Sequence, residues 1–156
     1  MSVTILPAVG TVAPGFSLRD QYGQTVSLSG FRDRSAVAIV FFPLAFTGTC
    51  TGELCELRDN LAMFDAAGVT LLGVSVDSTA TLREFAEREG YTFSLLADFW
   101  PHGEVAQRYG AFLPDKGFAT RATVLVDSSG LVRATFATNP GEVRYLTAYR
   151  DALALL

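Results

Sequence analysis

The sequence is short of the residues that build scaffolds and metal sites. In 156 residues it has two cysteines, one histidine and one tryptophan. That stock does not make a good zinc site, and no metal is expected. Nor is it the dense disulfide framework of a small secreted domain. No apolar run approaches the ~18 residues of a membrane span. The longest, AVAIVFFPLAF, is broken by Pro43 and suits a buried strand. The start, MSVTILPAVG, has no basic region and no long apolar stretch, so no secretory signal is expected. Lys and Arg number 12 against 16 acidic residues, a net charge of −4 with no basic cluster. Nucleic acid and anionic membrane are therefore poor partners. There is no internal repeat, low-complexity run or linker, and the length fits a single domain over residues 1–156. Two nearby thiols in such a chain suit a reducing, cytoplasmic setting.

What is present is ample apolar material, 49% of the chain, in patterns with clear periods. Residues 1–35 are turn-rich, with FSLRD and QTVSLSG reading as a small hairpin or edge strands. VAIVFFP, 37–43, is a continuous β-branched and aromatic run, as expected of a strand buried on both faces. From Cys50 to about Ala66, Leu54, Leu57, Leu61 and Phe64 recur at helical steps, and Gly68 is placed to end that helix. VTLLGVSVD reads as a second buried strand. Ser78 or Thr79 can cap the next helix, which stops at Gly90. Residues 37–77 thus form a β-α-β unit. An extended FSLLAD, a helical GEVAQRYG and a hairpin of ATVLVD and LVRATFA about Ser128-Ser129-Gly130 follow. GEVRYLTAYRDALALL reads as an amphipathic C-terminal helix. The order describes an α/β fold with a mixed central sheet flanked by helices, that of the thioredoxin-like fold with an N-terminal β extension.

Both cysteines lie in FFPLAFTGTCTGELCELRD, five residues apart. The spacing is too tight for a scaffold disulfide and too wide for C-x-x-C. Cys50 falls where the strand has ended and the helix begins. The free N–H groups and dipole of a helix start favour a negative charge such as a thiolate. Sites in α/β proteins also gather at the carboxyl ends of strands. Equally, a free cysteine is often only a small buried hydrophobe.

Pro43-Leu44-Ala45-Phe46-Thr47-Gly48-Thr49-Cys50 has the form P-x-x-x-T-x-x-C. It resembles the active-site signature of the peroxiredoxins, thiol peroxidases of thioredoxin-like fold. GTVAPGFSLRDQYGQTVSL resembles that family's N-terminal stretch, and RATVLVD its later arginine segment, so the resemblance covers nearly the whole chain. It implies that Cys50 is the peroxidatic nucleophile, attacking hydrogen peroxide and organic hydroperoxides, with peroxynitrite a further candidate. Thr47 would hydrogen-bond the peroxide, Pro43 would shield the thiolate from water, Arg121 would hold thiolate and reacting oxygens, and Glu53 would orient the arginine. No cofactor is implied. Taken singly, Thr47 could be only a helix cap, Pro43 only a strand end and Arg121 only an exposed strand residue.

Physical chemistry says what such a site must supply. Lowering a thiol pKa from ~8.5 to ~6 raises the thiolate fraction at pH 7 about thirtyfold. The accompanying loss of nucleophilicity takes back about tenfold. Most of the acceleration must then come from donors aimed at the O–O bond as it breaks.

On a helix, residues five apart are separated by ~7.5 Å along the axis and about 140° around it. Cys50 and Cys55 can pair only if the first turns unwind, since a disulfide needs α-carbons within ~7 Å. The C-T-x-E-x-C pattern resembles the bacterioferritin-comigratory (PrxQ) subfamily, in which the second cysteine resolves the first. ADFWPHGEVAQRYG and FFPLAFTGTC resemble the actinobacterial AhpE subfamily, many of whose members use one cysteine and an outside thiol. Cys55 is therefore a candidate resolving cysteine or a spectator thiol. The reductant is expected to be of mycoredoxin, thioredoxin or low-molecular-weight-thiol type. By the AhpE resemblance, Trp100, with Phe99 and Pro101, suits a homodimer contact; ordinary core is the alternative. His102 reads as a surface or packing residue. Phe42, Leu44 and Phe46 form either an apolar rim for organic hydroperoxides or core. A rival function is a redox-sensing or binding module that uses reversible oxidation of Cys50. A thioredoxin-like disulfide reductase would want the C-x-x-C that is missing.

Overall fold

The computed structural model describes residues 5–156; Met1 to Thr4, the beginning of the turn-rich stretch, lie outside the described residues. A hairpin of β1 (Ser17–Asp20) and β2 (Thr25–Ser27) leads through a short 3-10 turn, Leu28–Phe31, into β3 (Ala36–Phe41). Then come α1 (Gly48–Asp59), α2 (Leu61–Ala66), β4 (Val69–Ser75), α3 (Thr79–Glu89) and β5 (Ser94–Ala97). The chain continues through α4 (Glu104–Arg108) and a small two-stranded ribbon of β6 (Phe112–Leu113) and β7 (Phe118–Ala119). It closes with β8 (Arg121–Val126), β9 (Val132–Thr138) and α5 (Leu146–Leu153).

Among the described residues, seven strands form one sheet in the order β2-β1-β5-β4-β3-β8-β9. β3, β4 and β5 run parallel, and β8 pairs antiparallel with β3, so the sheet is mixed. Strand alternation explains the three layers. Ala36, Ala38 and Val40 of β3 enter one core, with Leu54, Leu57, Phe64, Phe85 and Tyr149 from the helices. Val37, Ile39 and Phe41 enter the other, with Phe16, Val105, Ala106 and Tyr109. Being buried on both sides, β3 tolerates only apolar residues, and this is why the run VAIVFF is unbroken.

Two helices differ from the periodicity. The helix read from Cys50 to Ala66 begins at Gly48 and breaks at Asn60, whose backbone (φ −124°, ψ 22°) leaves helical geometry. Phe64 still reaches the core, because α2 resumes on the same face. The C-terminal helix is also shorter than read: it starts at Leu146, and residues 141–145 form a loop whose Arg144 turns inward. α3 matches expectation at both ends. Ser78 caps it by accepting a bond from the Thr81 N–H, and Gly90 ends it at φ 71°, a left-handed conformation that glycine adopts without strain.

Candidate active site

β3 delivers the chain to the carboxyl end of the sheet, where Pro43 ends the extended run and Thr47 sits at the N-cap of α1. Cys50 is the third residue of that helix and is fully buried. The antiparallel register explains how Arg121 comes to meet it. Val40 pairs with Thr123, so Arg121, two residues earlier in β8, lies level with the end of β3. The residue is 1% exposed, which excludes a solvent-facing strand residue.

Arg121 makes a bond from each of its three guanidinium nitrogens. Nη2 donates to Cys50 Sγ at 3.0 Å, Nη1 to Glu53 Oε1 at 3.0 Å, and Nε to the Pro140 carbonyl at 2.6 Å. The planar guanidinium is thereby fixed, with one edge against the sulfur. A cation at that distance stabilises negative charge on sulfur. Glu53, one turn beyond Cys50, holds the arginine from behind.

Arg144 is the residue that sequence reading missed. It is buried and surrounds Glu53. Its N–H and Nε donate to Oε2 at 2.7 and 3.0 Å, and Nη2 donates to Oε1 at 2.5 Å. Nη1 reaches the Ala122 carbonyl at 2.8 Å and Thr123 Oγ1 at 3.1 Å. One carboxylate between two guanidiniums leaves a net positive charge behind Cys50. Burial alone would push the Glu53 carboxyl up, but the hydrogen bonds and charge of Arg144, with the charge of Arg121, outweigh it and hold its pKa below the ordinary value.

The loop before Cys50 is also fixed. Asp77, beyond β4, accepts from the Ala45 N–H at 2.8 Å and the Ser75 hydroxyl at 2.6 Å. Phe46 adopts φ 67°, a strained conformation for an aromatic residue. It packs on Phe85 with ring centroids 4.9 Å apart and lies under the Arg88 guanidinium at 5.6 Å. Thr47 does not cap the helix with its side chain. Its hydroxyl donates to the Leu44 carbonyl at 3.1 Å and is exposed beside the helix start, where a small substrate can reach it. Pro43 is buried, Leu44 half-buried, and Phe42 fully buried in the core. Only Phe46, 44% exposed, and Leu44 remain for an apolar rim.

Cys55 looks elsewhere. It is half-buried, with its sulfur 3.4 Å from the Tyr91 hydroxyl and 3.5 Å from Glu89 Oε2, and both cysteines are free thiols. His102 is exposed and bonded through Nε2 to the Gly117 carbonyl at 2.6 Å, a local loop contact. Trp100 is 82% exposed, so the core reading fails for it. No helix among the described residues is long and apolar enough to cross a membrane.

A sequence model of the AhpC/TSA family matches residues 9–135. The chain belongs to the AhpC/TSA family. It is 49% identical over 148 residues to the alkyl hydroperoxide reductase E of Mycobacterium tuberculosis, covering 95% of this chain and 97% of that one. It is 37% identical over 134 residues to the peroxiredoxin Bcp of Escherichia coli, covering 81% and 83%. Among solved structures, the reduced 2-Cys peroxiredoxin of Plasmodium vivax superposes with a TM-score of 0.85 at 28% identity, over 95% of this chain and 81% of that one. The chain is a peroxiredoxin of AhpE-like character with Bcp-like relatives, on a thioredoxin-like fold.

Proposed function

We propose that the protein is a thiol-dependent peroxidase that reduces hydrogen peroxide and organic hydroperoxides at Cys50. The observation that carries this reading is the Arg121 guanidinium 3.0 Å from a buried Cys50 sulfur, with Glu53 fixing its orientation. The Cys50 thiolate attacks one peroxide oxygen in line with the O–O bond. The S–O bond forms as the O–O bond breaks, the leaving oxygen departs with the bonding pair and takes a proton, and Cys50 becomes a sulfenic acid. Arg121 through its remaining Nη hydrogens, the Thr47 hydroxyl once it turns from the Leu44 carbonyl, and the first N–H groups of α1 supply donors to the charge that builds on the departing oxygen. Pro43 keeps water from the sulfur.

Cys55 then resolves the sulfenic acid. Its thiolate attacks the Cys50 sulfur, the oxygen leaves as water after protonation, and an intramolecular disulfide remains. The two sulfurs face different neighbours in the folded helix, so this step needs the first turns of α1 to open. An external thiol, of thioredoxin, mycoredoxin or low-molecular-weight type, returns the pair to the reduced state. The protein works as a single domain in the reducing cytoplasm, and exposed Trp100 and Phe99 suit a homodimer contact.

The test is intact mass with a free-thiol count after one equivalent of peroxide on reduced protein. Loss of two hydrogens and both thiols from a monomeric chain is expected. Gain of one oxygen with one thiol left would assign the cycle to Cys50 and an outside thiol alone. No change within minutes would overturn the peroxidase reading.

A further inference from the structure

We propose that Tyr91 is a latch on the first turns of α1, and that its hydroxyl sets the rate at which Cys55 reaches Cys50. The proposal rests on the reading of Cys55 as the resolving cysteine. The Tyr91 hydroxyl donates to the Thr51 carbonyl at 3.2 Å and lies 3.4 Å from Cys55 Sγ. One phenol, carried on the segment that follows α3, thus touches both the residue next to Cys50 and the second cysteine. The ring is held where it is. It is 4% exposed, stacks on Phe93 at 5.2 Å and meets Phe85 edge-on at 5.1 Å.

A phenol has one proton, and two acceptors compete for it. With Cys55 as a neutral thiol, the S–H can turn to Glu89 Oε2 or to the Tyr91 oxygen, and the tyrosine proton stays on the Thr51 carbonyl. The thiolate that attacks the sulfenic acid has no proton to give. It draws the Tyr91 proton to itself, and the Thr51 carbonyl loses its anchor outside the helix. Forming the attacking species therefore loosens the segment that must unwind. The charged groups around this sulfur are Glu89 from α3 and Arg58 from α1, whose Nη1 donates to the Glu89 carbonyl at 2.5 Å. Burial first, and then the hydrogen bond and charge of Cys55, keep the Tyr91 phenol protonated far above neutral pH, so it remains a donor throughout. Tyr91 touches no substrate; it acts by position.

The decisive variant is Tyr91→Phe, which keeps the ring packing and removes the hydroxyl; Tyr91→Leu removes both. Two readouts are taken on full-length protein. In a single turnover with one equivalent of hydrogen peroxide, quenched samples are analysed by mass for sulfenic acid and disulfide. Y91F should form sulfenic acid at the wild-type rate and convert it to disulfide about threefold to tenfold faster, the factor that one modest hydrogen bond represents. In the reduced protein, amide hydrogen exchange over residues 48–55 should speed up by a similar factor while β3 is unchanged. If Y91F equals wild type in both and only Y91L differs, Tyr91 is packing and the latch is overturned. Slower disulfide formation in Y91F would also overturn it, since the hydroxyl's bond to the thiolate would then outweigh any restraint it places on the helix. If no disulfide forms even in wild type, the resolving role of Cys55 fails and the kinetic half of the proposal fails with it; exchange then decides the latch by itself.

Discussion

Cys50 and Cys55 share one helix, but their surroundings differ in sign. Cys50 is fully buried against Arg121, and behind that arginine stand Glu53 and a second buried guanidinium, Arg144. Cys55 is half-buried against a phenol, Tyr91, which can offer it one neutral hydrogen bond, and a carboxylate, Glu89, which opposes negative charge on the sulfur. Arg58 also faces this sulfur while bonded to Asp59 and the Glu89 carbonyl, so the charges around Cys55 are mixed where those behind Cys50 are net positive. Under the proposed function Cys50 attacks first and Cys55 waits, and on that reading burial does not by itself separate the two roles; the sign and rigidity of the charge beside each sulfur do.

Removing the carboxylate on which the Cys50 side depends should have the largest effect. Glu53→Gln leaves Arg121 and Arg144 buried with no anion, and breaking a buried ion pair from one side costs about 3–5 kcal/mol. The urea midpoint should fall accordingly, and peroxide reactivity with it, because Arg121 loses its support. The pH dependence has a definite sign. The folded-state pKa of Glu53 lies below its ordinary value of 4.5, so its contribution to stability is complete above that pH and is lost as the pH falls through the lower folded value. Urea midpoints measured from neutral to acid pH should show this loss in wild type and a flatter acid limb in E53Q. Equal acid limbs would mean that Glu53 is not ionised in the folded protein.

Next in size is Arg121→Lys. Lysine keeps the charge but cannot make three fixed bonds to Cys50, Glu53 and Pro140 at once. The second-order rate of the Cys50 step should drop about 10²–10³-fold, the cost of losing one preorganised donor to a developing oxyanion. Stopped-flow measurement of peroxide consumption checks it. A drop of less than about threefold would show that charge without geometry suffices, and the contrast between the two cysteines would reduce to sign alone.

How much of this was legible follows from the same contrast. The Cys50 side is built from residues that announce themselves. An unbroken apolar run marks β3, a proline and threonine lead to Cys50, and Arg121 opens the next apolar strand. Arg144 was hidden because an amphipathic pattern runs through GEVRYLTAYRDALALL, and its Val143 and Tyr145 pass for helix positions. The Pro140-Gly141 turn was the available signal that the helix starts later. Asn60 was hidden for a similar reason, since Leu57, Leu61 and Phe64 keep helical spacing across the break. The surroundings of Cys55 were not legible at all. Tyr91 and Glu89 reach it from the far end of α3, and no local pattern records a contact made across more than thirty residues of chain.

The smallest expected effect sharpens the comparison from the Cys55 side. Glu89 is half-buried at the end of α3, and its Oε2 lies 3.5 Å from the Cys55 sulfur. Two roles of opposite sign are available to it. As an acceptor for the thiol proton it would assist Cys55, and as a fixed negative charge it would oppose the thiolate that the proposed resolving step requires. The length is ordinary for sulfur, but a thiol is a weak donor, while Coulomb repulsion between like charges at that separation persists even in partial solvent. Repulsion should therefore win, by an amount typical of a partly exposed charge pair, up to about 1 kcal/mol. Glu89→Gln should speed disulfide formation after the sulfenic acid by about twofold to fivefold at neutral pH and leave the Cys50 step unchanged, because no part of the Arg121 site is touched. Raised salt should shrink the difference between E89Q and wild type, since a partly exposed pair is screened. A slower second phase in E89Q would assign Glu89 the proton, and the Cys55 side would then be prepared for its reaction as the Cys50 side is, by a base where the other has a cation.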